Sequence, residues 1–140
     1  MSRAVVVDAG PLYAYIDADD ADHQRFAEFM ACHDGTLIVP QLVITEVCYL
    51  VQARLGTRAE LLFLEDLASG AFSVEPVAVT DWFRVIELVD TYRDCPLGTV
   101  DATVVACAER LAFSEIATLG HRHFRAIRPA HVTNFTLLPS

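Results

Sequence analysis

Ala4-Val5-Val6-Val7-Asp8-Ala9-Gly10-Pro11 is the stretch that decides how this chain folds. A half-exposed strand alternates apolar and polar residues, whereas Ala4 to Val7 is apolar throughout. That pattern reads as a strand buried on both faces, the hallmark of a parallel sheet. Asp8 ends the run, and Gly10-Pro11 turns the chain. In open α/β sheets ligands gather beyond the carboxyl ends of the strands, so an acid directly after such a strand projects into the ligand crevice. The same Asp also reads as the N-cap of a short following helix.

Outward from β-run to helix, the pattern repeats. Asp20 or Asp22 caps a helix carrying Phe26, Phe29 and Met30, and Leu37-Ile38-Val39 is a second strand stopped by Pro40. A helix runs from about Gln41 to Leu55, with Gly56 at its C-terminal cap. Thr57-Arg58-Ala59-Glu60 has the spacing of a capping box and opens a Leu-rich helix that Gly70 ends. Phe72 to Val77 is a third strand, which Pro76 assigns to an edge. Thr80 caps a helix whose buried stripe is predicted as Trp82, Phe83, Ile86, Val89 and Tyr92. A turn at Pro96-Leu97-Gly98 leads into a helix from Thr99 through Ala112. Ile116 to Leu119 is a fourth strand and Val132 to Leu138 a fifth. Strands alternating with helices predict a single α/β domain over residues 1–140, with a mainly parallel sheet of four to five strands.

The composition narrows the chemistry. The chain has 140 residues, 54% hydrophobic, and 19 acidic against 10 basic residues, a net charge of −9. Such a surface argues against coating nucleic acid by charge, but not against meeting it at a local site through a divalent cation. All ten basic residues are Arg. Without a Lys, P-loop, Schiff-base and kinase chemistries are excluded. Arg suits phosphate contacts through its planar fork, although an Arg-only set also follows from genomic base composition. Cys32, Cys48, Cys95 and Cys107 form no CxxC pair and no zinc spacing, and read as reduced thiols of a cytoplasmic protein. The N-terminus does not have the pattern of a signal peptide. Leu37 to Val51 is broken by Pro40, Gln41, Thr45 and Glu46, so no membrane span is expected.

Three acids stand out beside Asp8's position. Glu46 lies in Leu42-Val43-Ile44-Thr45-Glu46-Val47-Cys48-Tyr49-Leu50-Val51, where aliphatic neighbours argue for a paired or metal-bound carboxylate; a narrow polar stripe with Thr45 and Gln52 is the other explanation. Asp101 sits in the first turn of its helix, where the helix dipole alone accounts for an acid. Asp94 precedes Pro96, reads as a turn cap and ranks lower. Carboxylates on separate elements at a crevice edge suit Mg²⁺ or Mn²⁺ and water attack on a phosphodiester. No GxSxG motif, Cys–His arrangement or Gly-rich phosphate loop offers a rival chemistry.

VVVDAGPLYAYIDADDADH, TEVCYLVQARLG, YRDCPLGTVDATVVACAERL and IATLGHRHFRAIRP, in this order, closely resemble a PIN-domain ribonuclease, most of all the VapC toxins of toxin–antitoxin pairs. The resemblance covers about residues 4 to 138. It implies a three-layer α/β/α PIN-like fold and Mg²⁺- or Mn²⁺-dependent RNA cleavage. It also implies a VapB-type antitoxin as partner and a homodimer. By motif it places the family's first three acids on Asp8, Glu46 and Asp101, as catalytic residues and metal ligands. After the fourth strand the family reads T-L-D-x-x-x-F, whereas this chain reads Thr118-Leu119-Gly120-His121-Arg122-His123-Phe124, so Gly120 stands in the fourth acid's place. His121 and His123 are weaker candidates to replace that ligand. Arg122 and Arg125, with Arg128 nearby, form a basic patch suited to RNA phosphates; a solvated turn is the plainer reading. Two alternatives stay open. One is a weakened or silent PIN fold that binds RNA or antitoxin without cutting, and the other is an RNA-maturation nuclease. Apolar residues near Tyr13, Tyr15, Leu50 and Leu61–Leu67 exceed what one small sheet needs, which points to interfaces.

Overall fold

Val5, Val6 and Val7 are each 0% exposed. Successive strand residues point to opposite faces, so both faces of this strand are covered by other elements. It is β1 (Ala4–Val7), the middle strand of a five-stranded sheet in a computed structural model that describes residues 3–95 and 97–139. Pro96, the first residue of the predicted turn, lies outside the described residues.

After β1 come α1 (Ala9–Ile16), α2 (His23–Cys32), β2 (Thr36–Pro40), α3 (Gln41–Leu55), α4 (Thr57–Ser69), β3 (Ser73–Glu75), α5 (Asp81–Thr91), α6 (Thr99–Leu111), β4 (Glu115–Ala117), α7 (His121–Ala126) and β5 (Thr136–Leu138). The strand order is β3-β2-β1-β4-β5, and every pairing is parallel. The chain moves from β1 through β2 to β3, then returns past β1 to β4 and β5. The order reverses between β1 and β4, which makes a topological switch point at the carboxyl ends of those two strands. Parallel sheets need helices on both faces, and the three-layer α/β/α arrangement follows.

The helix punctuation is as the glycines foretell. Gly56 (φ 90°) and Gly70 (φ 85°) occupy the positive-φ positions that end α3 and α4. Ala112 ends α6 with φ 60° and carries a Cβ in a left-handed conformation, which costs free energy. Ala112→Gly is therefore expected to raise stability by about 0.5–1 kcal/mol, read as a higher urea midpoint.

Four expectations need correction. The capping box does not form: Thr57 lies inside α4, and the Thr57 hydroxyl (3.0 Å) and Glu60 carboxylate (3.1 Å) both accept from the Gln52 side-chain amide. The third, fourth and fifth strands are shorter than their apolar runs. The α5 stripe is turned the other way. Asp81, Val85 and Leu88 face inward, while Phe83 and Ile86 are 70% and 66% exposed and Trp82 and Val89 are also exposed. Asp81 faces inward because Arg110 Nε of α6 donates to both its carboxylate oxygens, at 3.0 and 3.2 Å. Glu46, finally, is exposed, because α3 buries the Val43-Val47-Val51 stripe and turns Thr45, Glu46 and Tyr49 outward.

Candidate active site

Asp8 follows β1 directly and is 8% exposed. Its position is the N-cap of α1, but its side chain makes no capping bond. Instead Asp8 Oδ2 accepts a hydrogen bond from the Thr118 hydroxyl at 3.0 Å. Burial raises the pKa of Asp8; the Ala9 N–H and the Thr118 hydroxyl act the other way by favouring the charged form.

Glu46 comes from the second turn of α3 and Asp101 from the first turn of α6. Asp8 acts on both other carboxylates, and Glu46 acts on Asp101. Burial and then the charge of Asp8 raise the pKa of Glu46. Asp101 is pushed up to about 6, first by burial, then by Asp8, with Glu46 adding to it. His123 on α7 opposes that shift; its Nδ1 lies 3.9 Å from Asp101 Oδ2. The charges of Asp8 and Glu46 thus reach Asp101, which His123 of α7 also faces.

The other candidates fall into place around this edge. Gly120 is the N-cap residue of α7 and has no side chain to offer; its N–H donates to Thr118 Oγ1 at 2.8 Å. The adjacent His121 has a buried Nε2 with no hydrogen-bond partner among the described residues. Arg122 and Arg125 are exposed on α7. Arg128 is engaged through its backbone, whose N–H donates to the Tyr92 hydroxyl at 2.8 Å and whose carbonyl accepts from Arg84. Asp94 is exposed in the turn after α5 and does not figure among the charges that shift Asp8, Glu46 or Asp101. Sequence reasoning missed Thr118. Its signal was the one used for Asp8: a polar residue immediately after a buried strand.

Hard divalent cations prefer carboxylate oxygens and keep several waters, so they do not demand three tight protein ligands. Among the described residues no three His, Cys, Asp or Glu side chains stand close enough to ligate one ion together. The donors fit such a cation as an open, all-oxygen set, because mutually repelling carboxylates are relieved by positive charge between them.

The sign of the Asp101 shift gives a stability prediction. The folded-state pKa of about 6 exceeds the ordinary value of 3.8, so the fold binds this proton more tightly than the unfolded chain does. Stability from this group is therefore full below the ordinary value and is lost as pH rises from about 4 to 6. Asp101→Asn should raise metal-free stability at pH 7.5 by on the order of 1 kcal/mol and make little difference at pH 4. Thermal melts of both proteins at the two pH values check it.

The PIN domain family profile matches residues 5–128. The chain belongs to the PIN-domain family. This PIN domain is 35% identical over 135 residues to ribonuclease VapC26 of Mycobacterium tuberculosis, spanning 96% of this chain and 100% of that protein. Its fold matches the crystal structure of VapC20 of the same organism, a sarcin–ricin-loop-cleaving toxin, with TM-score 0.81 and 20% identity over 94% of this chain and 99% of the other. It also matches VapBC2 of Rickettsia felis, crystallised on a promoter DNA fragment, with TM-score 0.70 and 15% identity over 96% of each chain. No described helix is long and apolar enough to cross a membrane.

Proposed function

We propose that this PIN domain is an Mg²⁺- or Mn²⁺-dependent endoribonuclease, the toxin of a toxin–antitoxin pair, working in the cytoplasm and restrained by a VapB-type antitoxin. What supports the reading is that Asp8, buried directly after β1 at the switch point of the sheet, acts by its charge on Glu46 of α3 and Asp101 of α6. Full-length likeness to ribonuclease VapC26 supports RNA as the substrate. Likeness in fold to the VapBC2 toxin–antitoxin complex supports the partner.

Asp8 and Asp101 would hold the cation, and Glu46, the most exposed of the three, would orient the attacking water or ligate directly. When bound, the cation supplies a Lewis acid for the phosphoryl oxygen and an activated water. Arg122 and Arg125 on α7 would take the RNA backbone by charge-assisted bonds to phosphate. Two separate exposed apolar faces, Phe83 and Ile86 on α5 and Leu61 and Leu62 on α4, support two protein partners: a second copy and the antitoxin. Sedimentation velocity at micromolar concentration should show a dimer.

Gly120 favours one further reading, a weakened or silent nuclease. A Cβ at this position would meet Thr118 Oγ1 at 3.4 Å and Phe124 at 3.9 Å, both ordinary contacts, and its φ of −87° suits any residue. The backbone thus accepts a Cβ, and Asp there adds negative charge where the fourth acid belongs. Cleavage of a mixed RNA pool is the deciding experiment, with Mg²⁺ and Mn²⁺ titrated for the present chain and Gly120→Asp. We expect both to cut and Gly120→Asp to need roughly tenfold less metal. Cutting by Gly120→Asp alone, at every metal level, makes the present chain a silent scaffold.

A further inference from the structure

Arg122 and Arg125 stand exposed on α7, a helix of six residues. A helix this short does not hold itself together in water, so its place is set by what grips it. On its inner face Phe124 and, just past its end, Ile127 are buried. The segment that leaves it is sewn down by polar groups of two other helices. The Arg128 N–H donates to the hydroxyl of Tyr92, which follows α5, at 2.8 Å. The Arg128 carbonyl accepts from Arg84 Nη2 of α5 at 3.5 Å. The Ala130 N–H donates to Glu109 Oε2 of α6 at 2.7 Å. Glu109 also accepts from both arms of Arg84, Nε at 2.7 Å and Nη2 at 2.9 Å. Pro129, between the two anchored residues, is buried, and His131 Nε2 donates to the Phe113 carbonyl at 2.7 Å. The Glu109 side chain is 9% exposed, and a carboxylate so placed needs partners. Arg84 alone makes it an ion pair between α5 and α6. The third bond, to Ala130, makes it a clamp on the chain leaving α7.

We propose that Glu109 is a positioning residue for RNA binding: with Arg84 and Tyr92 it clamps residues 128–130 onto α5 and α6, and so holds α7 where Arg122 and Arg125 meet the RNA backbone. The inference rests on the reading of Arg122 and Arg125 as phosphate contacts. A guanidinium binds phosphate through a directional fork, so a helix that shifts loses bonds without losing charge. The sign of the effect separates this role from bulk electrostatics. The chain has a net charge of −9, and by charge alone the loss of an acid strengthens its attraction for RNA. Release of Arg84 from its pair acts in the same direction. Positioning demands the reverse, an acid whose loss weakens RNA binding.

The test is filter binding of a labelled mixed RNA pool in EDTA, which reads RNA contact without metal and without cleavage. Glu109→Ala, the double variant Arg122→Ala/Arg125→Ala and the combination of all three are compared with the parent over a range of salt. We expect Glu109→Ala to bind RNA about fivefold more weakly at low salt. The slope of log affinity against log salt, about 0.7 per phosphate contacted on a single strand, should fall by about one. In the background lacking both arginines, Glu109→Ala should change binding by less than about twofold. Tyr92→Phe removes only a hydroxyl from the same anchor and should lose about twofold. It takes the place of Glu109→Ala in both comparisons should thermal melts show the latter unfolded. RNA binding by Glu109→Ala at or above the parent's strength overturns the proposal, as does an undiminished loss in the arginine-free background. A parent that binds no RNA, or a double variant that binds it as the parent does, overturns the phosphate-contact reading, and this inference falls with it. The metal-ligand reading of Asp8 is untouched by either result, because EDTA removes the cation from the experiment.

Discussion

Asp8→Ala should lower RNA cleavage by about a thousandfold or more while leaving the protein folded. Asp8 supplies the most buried charge of the acidic site and shifts both other carboxylates. Without it, a cation would lose its innermost ligand, and the Thr118 hydroxyl would have no carboxylate to hold. The fold should not suffer in proportion. Burial raises the pKa of Asp8, so at pH 7 its ionised form is a cost to the folded state. Asp8→Asn removes that charge, keeps an acceptor for Thr118, and should equal or exceed the parent's metal-free melting temperature while cleaving as poorly as Asp8→Ala. Single-turnover cleavage together with thermal melts checks both halves. Parent-like cleavage by Asp8→Ala would remove the site assignment altogether.

The largest stability effect is expected beside the edge strand β3. Asp81 is 5% exposed and accepts three hydrogen bonds, two from Arg110 Nε at 3.0 and 3.2 Å and one from the Ala78 N–H at 2.9 Å. Arg110 also reaches Glu75 at 3.4 Å and the Pro76 carbonyl at 3.2 Å, so this one guanidinium ties α6 to the start of α5 and to the edge strand β3. Truncating one partner of a buried pair leaves the other charge partly uncompensated, at a cost of about 3–5 kcal/mol. Glu75 remains to Arg110, which moves the expectation for Asp81→Ala to about 2–4 kcal/mol. Urea unfolding should show a lower midpoint with an unchanged slope. Cleavage at a temperature where the variant is folded should match the parent, because Asp81 is not among the charges that shift the acidic site.

This ion pair also explains where the sequence was illegible. The strands could be read because β-branched runs are bounded by Gly, Pro and Asp, and the ends of α3 and α4 because Gly56 and Gly70 supply positive φ. Periodicity placed the aromatic residues of α5 inward by hydropathy alone. The partner that lets Asp81 face inward lies 29 residues away on another helix, and no local pattern announces it. Glu46 had the opposite fault. Its apolar neighbours suggested burial, but Thr45 and Tyr49 face solvent with it. Asp8 stood out because it follows an all-apolar strand directly; Gly10 and Pro11, read as a turn, lie in the first turn of α1. Thr118 required knowing that β4 lies beside β1.

The pairing of β1 with β4 sets the order in which the protein comes into being. A ribosome delivers Asp8 among the first residues, yet its hydrogen-bond partner Thr118 follows 110 residues later. β1 can dock on β2 once Thr36–Pro40 has emerged, but one flank of the central strand then waits until Glu115–Ala117 arrives. Contacts of such long sequence separation close slowly, because the loop entropy must be overcome before they contribute. Half-synthesised chains therefore carry the first acid of the site without the elements that complete it. During synthesis the three acids cannot come together before Asp101 on α6 has been made.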